Sequence, residues 1–419
     1  MKPMGTIPAE YAGAPLLIAG RDAEAWAEAA GDTPLFVYDV DAVARRVARF
    51  RSAFPHVDLH YAIKANPYPP LLAAMAPLVD GFDIASAGEL ARVGSLKRGA
   101  AISFAGPGKR WDEIEAAIRA SVTINLESEG EAGRVIAIGD RLGIVPRVAV
   151  RVNPEIELRG SGMRMGGRAS PFGIDSDRAA AVAGQMIEAG ADWRGFHIFA
   201  GSQALDEGAI IETQAETLAL AARLSEAVGI TPPLVNLGGG FGIPYFPGEV
   251  PLDVESVGAA LAERLRDVPA VLAGTRFAIE LGRWLVGEAG VYLTRVVDRK
   301  TSRGETFIVT DGGMNHQLAA TGNLGTVVRR NYPVAVATAA ADVPREIASI
   351  VGPLCTPLDR LADRVEIARA EPGDLIAVFM AGAYGLSASP AGFLGHNPPR
   401  EMLAGVPDVT NVIFTSPQA

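Results

Sequence analysis

A chain of 419 residues is long enough for two domains, or for one barrel-sized domain plus a second, and can bury a sizeable core. With 49% hydrophobic and 21% charged residues it is neither fibrous nor disordered in composition. A formal net charge of -10, with no clustered Lys/Arg excess, argues against a nucleic-acid partner, and the single cysteine, Cys355, cannot close an internal disulfide. No signal peptide, membrane span or metal site is read, so a cytoplasmic protein with small-molecule or protein partners is expected.

From residue 34 onward, short β-rich runs alternate with longer helical patterns, as in parallel βα units. Candidate strands cover residues 34–39, 59–64, 82–85, 101–105, 122–126, 147–153, 195–200, 234–237 and 277–280. Between them lie helical patterns over 42–54, 89–97, 177–189, 213–228 and 254–267, with apolar residues three and four apart. If the first strand is an entry element, eight remain, which suits an α/β fold with a closed, TIM-like (β/α)8 barrel over residues 34–285. Beyond residue 285, β-type runs over 291–297, 306–310, 334–337, 349–351 and 375–379 predict a second, mostly β domain. It comprises 286–419, with residues 1–33 folding against it.

In such a barrel, catalytic groups sit at the carboxyl ends of the strands. Lys64 ends one of them, before Ala65-Asn66-Pro67. A lone lysine there is by default solvated, but in apolar surroundings it loses its proton more easily, as Schiff-base chemistry requires. The run Asn236-Leu237-Gly238-Gly239-Gly240-Phe241-Gly242 leads from a strand into a glycine loop whose bare N–H groups can cradle a phosphate, or can simply form a tight turn. Glu280 ends the next strand and is followed by Gly282 and Arg283, either a carboxylate beside an anion site or a local ion pair. Further polar groups gather at strand ends: Asp83, Ser86 and Glu89; Arg151 and Asn153; His197, Ser202 and Gln203.

These residues carry a resemblance to the diaminopimelate/ornithine decarboxylase family of fold-type III (alanine racemase-like) pyridoxal-phosphate enzymes. The matching stretches are Tyr61-Ala62-Ile63-Lys64-Ala65-Asn66, Phe82-Asp83-Ile84-Ala85-Ser86, Gly201-Ser202-Gln203, residues 238–242, Glu280-Leu281-Gly282-Arg283, Gly352-Pro353-Leu354-Cys355 with Asp359, Pro372-Gly373-Asp374 and Gly382-Ala383-Tyr384-Gly385. The resemblance implies pyridoxal 5'-phosphate as cofactor, with Lys64 forming the internal aldimine and Glu280 meeting the pyridine nitrogen. Ser202, Gly239, Gly240, Gly282, Arg283 and Tyr384 would surround the phosphate, with Asp83, Arg151 and His197 also on the cofactor side. It further implies a homodimer with shared active sites, in which Cys355 reprotonates the α-carbon in the partner's site.

The chain departs from the family pattern at its substrate end. Phe199 stands where a histidine often stacks on the cofactor ring, and an aromatic face keeps the stacking but carries no proton. Diaminopimelate decarboxylases place a glutamate directly after the interface cysteine and an arginine-containing segment for the distal carboxylate. Here Thr356-Pro357 follows Cys355, and the corresponding segment reads Asp311-Gly312-Gly313-Met314-Asn315-His316-Gln317. Thr321-Gly322-Asn323-Leu324-Gly325 with Arg329-Arg330 is similar instead to the specialised-metabolism subgroup, which includes exosortase-associated enzymes and decarboxylases of carrier-tethered glutamate. Asp359, Arg329 and Thr356 are the candidate substrate contacts. Decarboxylation of a free or carrier-linked amino acid other than diaminopimelate is therefore expected. The alternatives are a diaminopimelate decarboxylase proper, a racemase of the same fold, and a non-catalytic binding protein.

Overall fold

The computed structural model describes residues 1–11, 13–155, 158, 160, 162–164, 166–322 and 330–405. The chain divides into two compact units: Arg46–Ile243 with Pro251–Trp284, and Met1–Arg45 with Pro244–Val250 and Leu285–Ala419. The main strands are β1 (Leu35–Asp39), β2 (Val57–Ala62), β3 (Gly81–Ile84), β4 (Ile102–Phe104), β5 (Thr123–Leu126), β6 (Arg147–Asn153), β7 (Asp192–Ile198), β8 (Leu234–Gly239) and β9 (Arg276–Leu281), followed by β10 (Gly290–Ser302), β11 (Glu305–Thr310), β12 (Val334–Val336), β13 (Arg345–Val351), β14 (Arg360–Ala368), β15 (Leu375–Val378) and β16 (Arg400–Ala404).

In the first unit β2–β9 pair in parallel in the order β6-β7-β8-β9-β2-β3-β4-β5, and β5 closes on β6 with Ile124 opposite Val148. This is an eight-stranded barrel. Its strands are apolar on the face toward the helices, where Leu59, Tyr61, Phe82, Phe104, Ile124, Val148, Val150 and Ile279 are buried. Helices start where side chains satisfy otherwise orphaned amides. Ser86 Oγ accepts from the Glu89 amide at 3.1 Å and opens Ala87–Val93, and Ser128 Oγ accepts from the Glu131 amide at 3.1 Å and opens Glu129–Leu142. Ser86 and Glu89, read from sequence as strand-end functional types, are thus a helix start: Glu89 accepts from the Ala85 amide.

The second unit is built on a sheet in the order β12-β15-β10-β11-β13-β14, with β1 pairing to β10 and β16. The first sequence-predicted strand therefore stands outside the barrel, as counting to eight demanded. It pairs antiparallel with β10, Tyr292 opposite Phe36, and parallel with β16. The sequence-based boundary at residue 34 falls short of the division at Arg45/Arg46 for this reason. Among the described residues no helix is long and apolar enough to cross a membrane, and no group of three or more His, Cys, Asp or Glu side chains is arranged to hold a metal.

Candidate active site

Lys64 lies one step beyond the sequence-based placement. β2 ends at Ala62, and Lys64 sits in a 3-10 turn, Ile63–Ala65, that carries the chain over the carboxyl end of the barrel. The turn packs against Gly282, where a Cβ would come within 2.9 Å of the Ala65 side chain, so the small residue lets Lys64 and Glu280 approach. Lys64 Nζ lies 3.8 Å from Glu280 Oε1, and its side chain is 52% exposed while that of Glu280 is 7% exposed. The ammonium also lies 5.8 Å from the centre of the Phe199 ring. Glu280 Oε2 is 3.1 Å from His197 Nε2. Burial pushes the Glu280 carboxyl up, but the His197 hydrogen bond and the charges of Lys64 and Arg151 outweigh it and hold the acid ionised, well below the usual carboxylate range.

The glycine loop beside Glu280 has a shape that side chains would destroy. Gly238 and Gly240 have φ of +71° and +80°. A Cβ at Gly239 would collide with the Glu280 carbonyl, and one at Gly240 with the Gly201 carbonyl. The loop is then stitched to the Ser202 segment. The Ala204 amide donates to Gly240 O at 2.9 Å, Gln203 Nε2 donates to Ile243 O at 2.7 Å, and the Ile243 amide returns a bond to Gln203 Oε1 at 3.2 Å. Gln203 thus acts as a clamp between Gly201–Ser202 and the glycine loop, a role its place in a Gly-Ser-Gln motif does not by itself disclose.

Other sequence-predicted cofactor residues lie deeper or are engaged elsewhere. Asp83 is buried and faces His60, 3.5 Å between Oδ2 and Nδ1. Burial opposes a charge on His60, yet Asp83 outweighs it and raises the imidazole above its ordinary value. Arg151 Nη1 bonds Glu127 Oε1 at 2.8 Å, and Glu127 Oε2 accepts from the Gly173 amide at 2.7 Å. Next to it Lys109 Nζ bonds Glu131 Oε1 at 2.8 Å with side chains 1% and 2% exposed, and also donates to the carbonyls of Gly106 and Asn125. Arg151 is the single member of this Glu127–Arg151–Lys109–Glu131 network singled out from sequence. Its charge reaches Glu280, but its hydrogen bond goes to Glu127.

In the other unit, Cys355 is exposed and carries a free thiol. Asp359, read as a substrate contact, is buried and spends its carboxylate on the loop around that thiol: Oδ1 accepts from Met314 N at 2.6 Å and Oδ2 from Leu354 N at 2.8 Å. Burial raises its pKa despite those amides. Thr356 Oγ accepts from Leu358 N at 3.3 Å. Tyr384 has a left-handed backbone, φ +54°. Arg330 pairs with Glu249 at 3.2 Å and lies over the Phe246 ring, whereas Arg329 falls outside the described residues.

A barrel with a lysine, an ionised carboxylate and a glycine cradle at its carboxyl end defines a class, and comparison with known proteins names it. Residues 40–287 match the model of the pyridoxal-dependent decarboxylase family, pyridoxal binding domain. The chain belongs to this family; it is a pyridoxal-phosphate-dependent amino-acid decarboxylase of fold type III. It is 36% identical over 384 residues, 89% of each chain, to the L-glutamyl-[BtrI acyl-carrier protein] decarboxylase of Niallia circulans. It is 31% identical, over 91% of this chain and 88% of the relative, to the diaminopimelate decarboxylase of Aquifex aeolicus. The diaminopimelate decarboxylase structure of M. jannaschii with L-lysine superposes with a TM-score of 0.84 at 26% identity, covering 96% of this chain and 92% of that one.

The residues at the barrel's carboxyl end fit pyridoxal phosphate on their own geometry. At residues 238–240 any Cβ would collide with neighbouring backbone, so the loop can turn there only as glycine with its amides bare, and Glu280 is held as an anion beside an amine.

Proposed function

We propose that the protein decarboxylates an L-glutamyl group carried on an acyl-carrier protein, acting as a cytoplasmic homodimer with Lys64 as the cofactor-binding amine and Cys355 of a second copy as proton donor. The observation that carries the reading is the Lys64–Glu280–His197 line, 3.8 Å and 3.1 Å, beside the glycine cradle. For the substrate, support comes from the 36% identity to the carrier-linked glutamate decarboxylase over nearly the whole chain. Phe199 and Thr356 also stand where the diaminopimelate-type pattern has a histidine and a glutamate.

Bound pyridoxal phosphate supplies the electron sink for the pair released when the bond from the α-carbon to its carboxylate breaks. Glu280, kept ionised by His197, Lys64 and Arg151, is suited to accept the pyridine N–H and so keep that nitrogen protonated. The amides of residues 239 and 240, with Ser202, Arg283 and Tyr384, are the proposed phosphate partners. Phe199 offers its ring as a packing face, and Lys64 Nζ is the amine that would hold the cofactor. Cys355 Sγ then gives its proton to the α-carbon and recovers one from solvent, for which its exposure is suited. Asp359 shapes the thiol's loop through its two amide bonds.

Holoenzyme incubated with L-glutamyl-carrier protein and, separately, with meso-diaminopimelate separates the readings by mass spectrometry. Loss of carbon dioxide from the carrier-bound group alone is expected. Efficient lysine formation, or inversion at the α-carbon with the carboxylate retained, refutes it. Mixing Lys64→Ala with Cys355→Ala protein is expected to restore activity that neither has alone, as shared sites require.

A further inference from the structure

The opposite end of the barrel takes no part in the site above, yet it is neither closed nor neutral. A cavity of about 420 Å³ opens there among the first residues of the strands and the turns before them, with Arg98, Arg147, Arg194 and Arg276 and the carboxylates Asp58 and Asp80 in its lining. The amino-terminal face of such a barrel is ordinarily where residues serve stability, and ion pairs there should balance. They do not. Arg276 is matched by Asp58 at 2.5 Å, and Asp80 is taken by Arg51 at 2.6 Å. Arg147 and Arg194 share one carboxylate, Asp192, at 2.9 Å and 3.5 Å. Arg98 is exposed and has no ion pair among the described residues.

Four guanidiniums and two carboxylates thus line one cavity, with Arg51 and Asp192 paired to lining groups from outside it, in a chain whose net charge is -10. Arg147 shows the imbalance: burial and then the neighbouring Arg194 lower its pKa, with Asp192 compensating only in part. Its Nε is buried without a hydrogen-bond acceptor among the described residues. Two guanidiniums held together with half the counter-charge they need, and a third without an ion pair among the described residues, make a cluster of donors of the kind that binds oxyanions through paired N–H···O bonds.

We propose that this cavity is a second anion site, taking a small multivalent oxyanion, phosphate or polycarboxylate, at the barrel end remote from the glycine cradle. Arg147 and Arg194 supply the inner donors and Arg98 the outer one. Enzyme saturated with pyridoxal phosphate, so that the cradle is filled, is titrated calorimetrically with inorganic phosphate and with citrate, ionic strength held constant with chloride. Saturable binding of at least one probe is expected, weakened about tenfold or more by Arg98→Ala and by Arg194→Gln, the loss of one charge-assisted hydrogen bond each. The response to phosphate against citrate tells which oxyanion class fits. Arg98→Ala, at an exposed and unpaired position, is expected to fold as the parent does. No saturable response to either probe, or a response that survives Arg98→Ala, overturns the proposal.

Discussion

At the carboxyl ends of the barrel strands Glu127, Glu131 and Glu280 each meet a cation, Arg151, Lys109 or Lys64, and each accepts a further hydrogen bond from an amide or imidazole. At the amino ends the arginines outnumber their acids and share them. The difference follows from dielectric. Lys109 and Glu131 are almost wholly removed from water, where an unmatched charge costs several kcal/mol, so each of the two needs the other. The amino end opens to solvent through its cavity, where water and ions screen a surplus. The lesson is that the ionised Glu280 depends on a balanced network rather than on any one neighbour.

The comparison breaks most completely with Lys64→Ala. Decarboxylation is expected to fall below detection and the cofactor's visible absorbance to be lost, while the urea midpoint barely moves, because this side chain is half exposed. Next in size is the buried pair. Glu131→Ala leaves Lys109 without its carboxylate and is expected to cost about 3–5 kcal/mol in urea unfolding, whereas Lys109→Met combined with Glu131→Leu recovers most of it. Equal costs for the single and double variants would mean that shape rather than charge balance is at stake.

How much of this was readable beforehand depended on the distance between partners in the chain. Lys64, the glycine loop and Glu280 sit in contiguous runs whose chemistry is local, and strand periodicity placed them at one barrel end. The network behind them was not readable. Lys109 meets Glu131 22 residues on, and Arg151 meets Glu127 24 residues back, across different strands. β14 escaped notice because Arg360, Asp363, Arg364 and Glu366 interrupt its apolar alternation, although Leu361, Val365 and Ile367 are buried. β16 pairs with a strand more than 360 residues away, beyond any local pattern. Asp359 enters the candidate substrate contacts through the family resemblance, as the companion of Gly352–Cys355, but its carboxylate accepts from the amides of Met314 and Leu354 and so braces the loop.

The β unit carries a pH-sensitive counterpart to the barrel's charge network. His316 is buried against Tyr292, and burial lowers its pKa to about 4, with Asn397 and Asp311 opposing only in part. The unfolded imidazole titrates near 6.5, so the unfolded chain takes up a proton that the folded one refuses. The contribution is whole above about pH 6.5 and is lost as pH falls toward 4, in all about 3 kcal/mol. His316→Asn is expected to flatten the stability-against-pH curve over that window, and an unchanged curve would show that the imidazole is protonated in place.

The smallest effect sharpens the comparison most. His197→Leu removes one hydrogen bond to an ionised carboxylate, worth about 1.5–3 kcal/mol, so kcat/KM should fall roughly 10- to 100-fold. A loss of packing alone would lower activity equally at every pH. Loss of the charge balance does something different: with His197 gone, burial is opposed only by Lys64 and Arg151, and the Glu280 carboxyl rises toward its ordinary value. A carboxyl with a raised pKa is protonated earlier as pH falls, so the acid limb of the activity profile should move to higher pH. Replacing His197 with Gln, which can still donate to Glu280, should move that limb back. If the limb stays where the parent's lies in both variants, Glu280 is held ionised by Lys64 and Arg151 alone.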